Sequence, residues 1–149
     1  MRVFIGAFHH TLDAKGRVSI PVQFRQVLTD RYEETLIVTS DFDQCLVGYP
    51  VEEWRQIEDK MKTLPMMQKE VKDFLRFFYS SAVSCPLDRQ GRILLPASLR
   101  QYAGLNRDVV LIGMSNKIEV WGERQWKEKT GQVSQNAERI SSALAGLGL

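Results

Sequence analysis

Two rhythms of apolar positions run along this chain. Short apolar runs bounded by polar turn residues read as strands: Leu36-Ile37-Val38-Thr39 and Cys45-Leu46-Val47-Gly48-Tyr49 early on, Val109-Val110-Leu111-Ile112 and Ile118-Glu119-Val120-Trp121 later. Polar turns at 40–44 and 113–117 join each pair. Between them Val51, Trp54, Ile57, Met61 and Leu64 recur at three- and four-residue steps, and after Pro65 the steps resume with Val71, Phe74, Leu75 and Phe78. That spacing predicts two amphipathic helices, whose charged positions, such as Glu52, Arg55, Glu58, Lys62, Lys69 and Asp73, form a solvated face. From Trp126 to Leu147 the apolar steps alternate between four and three, which predicts a single C-terminal helix with a partner surface, weakened by Gly131.

The chain also repeats itself. Residues 12–26 laid over 87–101, an offset of 75, give seven identities in fifteen positions, where about one is expected by chance. Most of the other positions keep polarity, as in Val18 with Ile93, Ile20 with Leu95 and Phe24 with Leu99. Each copy reads as strand, tight turn, strand and short helix. Asp13-Ala14-Lys15-Gly16 and Asp88-Arg89-Gln90-Gly91 fit three-residue hairpin connections, with Asp at the first turn position and Gly in the left-handed one. Pro21 and Pro96 suit the first position of a helix, with Phe24 and Val27 or Leu28, and Leu99 and Tyr102 or Ala103, facing inward. Gly104 can end the second of these helices.

Composition narrows the function classes. With 149 residues, 44% hydrophobic and 26% charged, the chain suits a folded module with a real core. It has no run of about 18 apolar residues and no signal-like segment, so a soluble cytoplasmic protein is expected. Cys45 and Cys85 lie far apart without CxxC spacing, and both are expected to be small buried hydrophobes. Adjacent His9 and His10 would point to opposite faces of a strand and do not share a metal. No GxSxG, P-loop, GxGxxG or HExxH pattern occurs, so neither enzymatic activity nor a cofactor is expected. The net charge of +2 is too mild to identify a nucleic-acid partner by itself, and distribution matters more than the total.

The twin Asp-x-x-Gly-Arg turns carry the most information. In the bland reading each is an exposed ion pair worth roughly 0 to 1 kcal/mol. In the functional reading a rigid β-ribbon carries Lys15 and Arg17 on one copy and Arg89 and Arg92 on the other. A two-stranded ribbon fits the DNA major groove, where Arg can take guanine O6 and N7 in two hydrogen bonds. Asp13 and Asp88, with Gly16 and Gly91, would then support the turns and orient the guanidinium groups.

The stretch Leu12-Asp13-Ala14-Lys15-Gly16-Arg17-Val18-Ser19-Ile20-Pro21-x-x-Phe24-Arg25, its echo from Leu87 to Arg100, and Asp43-Gln44-Cys45-Leu46-x-x-Tyr49-Pro50 closely resemble the bacterial MraZ regulators. At the amino end Met1-Arg2-Val3 precede the Phe4-Ile5-Gly6 that resembles the family's opening. The resemblance implies an AbrB-like, α+β fold in which duplicated ββαβ units form a double-split, swapped-hairpin β-barrel. The inserted helical pair and the C-terminal helix complete it. The parts expected are 1–50 as the first half, 51–80 as the helical pair, 81–122 as the second half and 123–149 as the terminal helix and tail.

The same resemblance implies a sequence-specific, nucleoid-associated transcriptional repressor. It would bind double-stranded DNA at tandem direct repeats upstream of a division and cell-wall gene cluster, and assemble into ring-like homo-oligomers with no membrane partner. By position, Arg17 is the leading base reader and Lys15 a phosphate or base contact; in the second turn Gln90 replaces that lysine while Arg89 and Arg92 restore charge nearby. The alternative is a protein-interaction or antitoxin-like scaffold built on the same barrel.

Overall fold

The computed structural model describes residues 3–149, so Met1 and Arg2 lie outside it. The first half contains β1 (Ala7–Thr11), β2 (Arg17–Ser19), α1 (Val22–Arg31), β3 (Thr35–Ser40) and β4 (Leu46–Pro50). Two helices follow, α2 (Val51–Met61) and α3 (Lys69–Ser80). The second half repeats the order with β5 (Val83–Pro86), β6 (Arg92–Leu94), α4 (Ala97–Tyr102), β7 (Asp108–Gly113) and β8 (Ile118–Gly122), and the chain ends in α5 (Glu123–Gln135) and α6 (Ala137–Ala145). Each half is therefore ββαββ, one strand longer than the ββαβ unit expected.

The fold is α+β with antiparallel pairing throughout its described strands. Six strands form one sheet in the order β1-β7-β8-β4-β3-β5, and β2 pairs with β6 in a separate two-stranded ribbon. The halves exchange their first strands: β1 of the first lies on β7 of the second, and β5 of the second on β3 of the first. No closed barrel is formed by these ladders. At the turn bases Asp13 N–H donates to Arg17 O at 3.0 Å and Asp88 N–H to Arg92 O at 2.8 Å, closing the turns that join β1 to β2 and β5 to β6.

Alternation in the ribbon sets its two faces. Val18 and Ile93 pair across it and are fully buried, whereas Arg17, Ser19, Arg92 and Leu94 occupy the opposite face. The inward residues join Ile20, Phe24, Leu28, Leu95, Leu99 and the inner positions of the large sheet in one apolar cluster. Burying each such side chain contributes roughly 1.5 to 3 kcal/mol. Phe24, Val27, Leu28, Leu99 and Ala103 face inward as their spacing predicts. Pro21 and Pro96 stand one residue before their helices rather than in the first turn, with extended ψ that feeds the chain in.

The inserted helices lay the predicted apolar stripe on the sheet, where Trp54, Ile57, Met61, Phe74 and Phe78 pack with Val47 and Tyr49 of β4. Trp54 stacks on Phe78 with ring centres 5.2 Å apart. On the other flank Trp126 meets Trp121 edge to face at 5.5 Å. The single C-terminal helix of the sequence reading is two helices. Gly131 lies inside α5, and the break falls at Asn136, whose side chain donates back to Gln132 O at 2.9 Å and ends the first helix. Neither α5 nor α6 buries a residue completely.

Candidate functional site

Each repeated turn is built by its aspartate. Asp13 Oδ1 accepts the backbone N–H groups of Lys15 at 3.0 Å and Arg17 at 2.9 Å, while Oδ2 accepts Arg17 Nε at 2.6 Å. Asp88 does the same, taking Gln90 N–H and Arg92 N–H at 2.9 Å on Oδ1 and Arg92 Nε at 3.0 Å on Oδ2. The Arg17 backbone N–H is the main reason the Asp13 carboxyl titrates low, at about 2, with the Arg17 side chain and Lys15 N–H adding to it. Asp88 is held below its ordinary value by the matching Arg92 groups. Both carboxylates are thus acceptors only, and each arginine is hydrogen-bonded to its own aspartate through Nε.

The turns do not cap separate β-fingers. Because β2 pairs with β6, with Arg17 opposite Leu94 and Ser19 opposite Arg92, the two turns stand at opposite ends of one shared ribbon. Gly16 O accepts Leu95 N–H and Gly91 O accepts Ile20 N–H, both at 2.9 Å, so each turn is also stitched to the other half. Arg92 Nη1 reaches Asp13 Oδ2 at 4.0 Å, which brings both motif arginines to one carboxylate. Arg17 and Arg92 remain about a third exposed. Lys15 and Arg89 are exposed on the turns and enter no ion pair among the described residues.

Gly16 and Gly91 have φ of +88° and +74°, the left-handed region their turns require. Each is also crossed by an arginine of the opposite half: a Cβ on Gly16 would stand 2.7 Å from Arg100 Nε, and one on Gly91 2.5 Å from Arg25 Cδ. Arg100 Nε donates to Leu95 O at 3.0 Å. Sequence reasoning passed over Arg25 and Arg100 as site residues although both are identities in the repeat, because their reach depends on the strand exchange.

The remaining candidates stay apart from this face. His9 is exposed and His10 half-buried on opposite sides of β1; burial and then Arg25 lower the His10 pKa. Among the described residues no cluster of His, Cys, Asp or Glu could hold a metal. Cys45 and Cys85 are buried free thiols; burial pushes Cys85 up to about 11 and Cys45 higher still, as suits inert apolar fillers. No helix among the described residues is long and apolar enough to cross a membrane.

A family model described as "MraZ protein, putative antitoxin-like" matches twice, over residues 3–77 and 78–145. The chain belongs to the MraZ family. It is 42% identical over 147 residues to the Transcriptional regulator MraZ of Desulfitobacterium hafniense (strain Y51), a match covering 99% of this chain and 100% of that relative. Relatives of the same name from Acetivibrio thermocellus and Thermoanaerobacter pseudethanolicus are each 43% identical over 147 residues, again 99% and 100% of the two chains. The double match places the MraZ repeat on the same two halves that the turns and strands define.

Proposed function

We propose that this chain is a sequence-specific DNA-binding transcriptional regulator that reads the major groove with the outer face of the β2–β6 ribbon. The observation that carries the reading is a pair of arginines, Arg17 and Arg92, fixed by their aspartates on the solvent side of a single two-stranded ribbon. A two-stranded ribbon enters a major groove, and Arg17, held through Nε, keeps its terminal nitrogens for a guanine edge, while Arg92 turns Nη1 toward Asp13. Arg17 is the leading base reader, with Lys15, Arg89 and Arg92 as base or phosphate contacts. Asp13, Gly16, Asp88 and Gly91 shape the turns. The exchange of β1 and β5 between the halves supports a swapped-hairpin, double-split plan, with the ladders themselves left open.

One ribbon covers a small footprint, and the net charge of +2 leaves few phosphate contacts. Affinity then comes from several copies of the chain on tandem direct repeats, where tethering adds roughly 10²-fold or more. Repression of a division and cell-wall gene cluster from such repeats, in the nucleoid, is the regulatory role that accompanies this reading. The relatives' shared name, transcriptional regulator, supports the broader part of this reading, control of transcription.

The test is Arg17→Ala in anisotropy titrations against a labelled duplex from the DNA immediately upstream of the chain's own reading frame, with unrelated duplex as competitor. Specific binding is expected to vanish while secondary structure stays unchanged, and an unaltered specific affinity rejects the reading. A second reading, a scaffold that binds a partner protein, draws on an exposed aromatic patch in which Phe42, two-thirds exposed, stacks on Phe77 at 4.6 Å. That activity would survive Arg17→Ala.

A further inference from the structure

The two turns sit in matching frames that differ in charge. Leu12 N–H donates to Arg107 O at 2.7 Å beside the first turn, and Leu87 N–H donates to Glu34 O at 3.0 Å beside the second. Arg107 and Glu34 therefore occupy equivalent positions, each bonded to the residue before a motif aspartate, and both side chains are exposed. Arg107 lines an open cleft of about 300 Å³ together with Asp13, Ala14 and Arg100. It enters no ion pair among the described residues, and the Asp13 carboxylate across the cleft is already taken by Arg17. Glu34 instead accepts a hydrogen bond from Thr29 Oγ1 at 3.0 Å.

An exposed arginine is ordinarily a solvated surface charge. Three features set Arg107 apart: its backbone is fixed to the residue before the first motif aspartate, it shares a cleft with a second guanidinium, and its counterpart across the repeat carries the opposite sign. Asp108, next in the chain and also exposed, tempers the local field without closing the cleft. Lys15 against Gln90 adds to the difference between the turns, while Arg89 against Ala14 opposes it. The second turn thus keeps a cation at its tip, and Arg25 across Gly91 as the first has Arg100 across Gly16, but carries Glu34 where the first carries Arg107.

Resting on the reading that the first turn enters a groove, we propose that Arg107 holds a backbone phosphate of the duplex beside that turn, and that Glu34 denies the second turn the same contact. Such a contact adds affinity without sequence preference and releases a counterion.

The experiment uses the full chain and two labelled duplexes of equal length, the upstream DNA and an unrelated sequence, titrated at several salt concentrations. Arg107→Ala is expected to weaken both duplexes by the same factor and to lower the slope of log K against log salt by about 0.9, with Arg107→Lys restoring it. Glu34→Arg is expected to strengthen both and steepen the slope by a similar amount. A parent-like slope in Arg107→Ala, or a loss confined to the upstream duplex, overturns the Arg107 assignment; no gain in Glu34→Arg overturns the part concerning Glu34. If Arg17→Ala abolishes specific binding while Arg107→Ala changes nothing, this inference alone falls. If Arg17→Ala itself binds normally, the groove-entering reading beneath it falls first.

Discussion

One carboxylate in each turn does two jobs that can be separated. Asp13 closes the turn through Oδ1 and orients Arg17 through Oδ2, and the same groups that hold it depress its titration to about 2. Because the folded value lies below the ordinary 3.8, the stabilisation is complete above that value and is lost as pH falls toward about 2. The expected result is that carbon-detected titration by NMR places Asp13 well below an unfolded-chain aspartate, with ribbon amide shifts moving in the same window. An Asp13 that titrates at its ordinary value would remove the carboxylate from its role. Gly16 tests the turn from the other side. At φ +88°, with Arg100 Nε and Leu95 O both under 3 Å from a Cβ, Gly16→Ala is expected to cost about 2 kcal/mol in urea unfolding and to weaken DNA binding with it.

At the scale of elements, glycine can carry the opposite sign. Gly131 lies inside exposed α5, and a Cβ there meets nothing within 4 Å. Gly131→Ala is therefore expected to stabilise that helix by up to about 1 kcal/mol, read as slower amide exchange across α5. The strands, the helical pair and the inward faces of α1 and α4 were legible in the sequence, because they follow local periodicity and the chain shows that periodicity twice. The pairings of β3 with β4 and β7 with β8 across their polar turns were legible too, but the partners of β1, β2, β5 and β6 were not. A turn of the Asp13 to Gly16 kind reads locally as a hairpin, yet β1 pairs with β7 and β2 with β6, choices made by the packing of Val18 and Ile93 and not by the turn. For the same reason Arg17 and Arg92 could be named from the repeat, whereas Arg100 over Gly16 and Arg107 beside Leu12 come into view only once the halves are interleaved. Local periodicity says nothing of Phe4, which lies before the first strand. It is fully buried, bridges Ser115 through both backbone bonds at 2.8 Å and packs edge to face on Phe24, so Phe4→Ala is expected to cost about 3 to 5 kcal/mol in the same unfolding assay.

For the whole molecule, the distribution of burial separates what folds the chain from what is left over. One apolar cluster spans both halves, while α6 buries nothing and leaves Ile140 and Leu144 more than a third exposed, with Val133 of α5 half exposed. An amphipathic helix in that condition contributes little to the monomer's stability and offers its apolar side to another surface. Removing the residues after Asn136 is therefore expected to leave the thermal midpoint of the core unchanged. If α6 joins copies of the chain, as the proposed assembly on tandem sites requires of some surface, the mass in light scattering drops to that of one chain. Affinity for a duplex with several repeats then falls by roughly 10²-fold, while binding to a single repeat, which needs only one ribbon, is unaffected. A truncated chain that keeps both its mass and its avidity shifts the joining surface to the helical pair and the neighbouring β3–β4 turn, where exposed Phe42 stacks on Phe77 of α3.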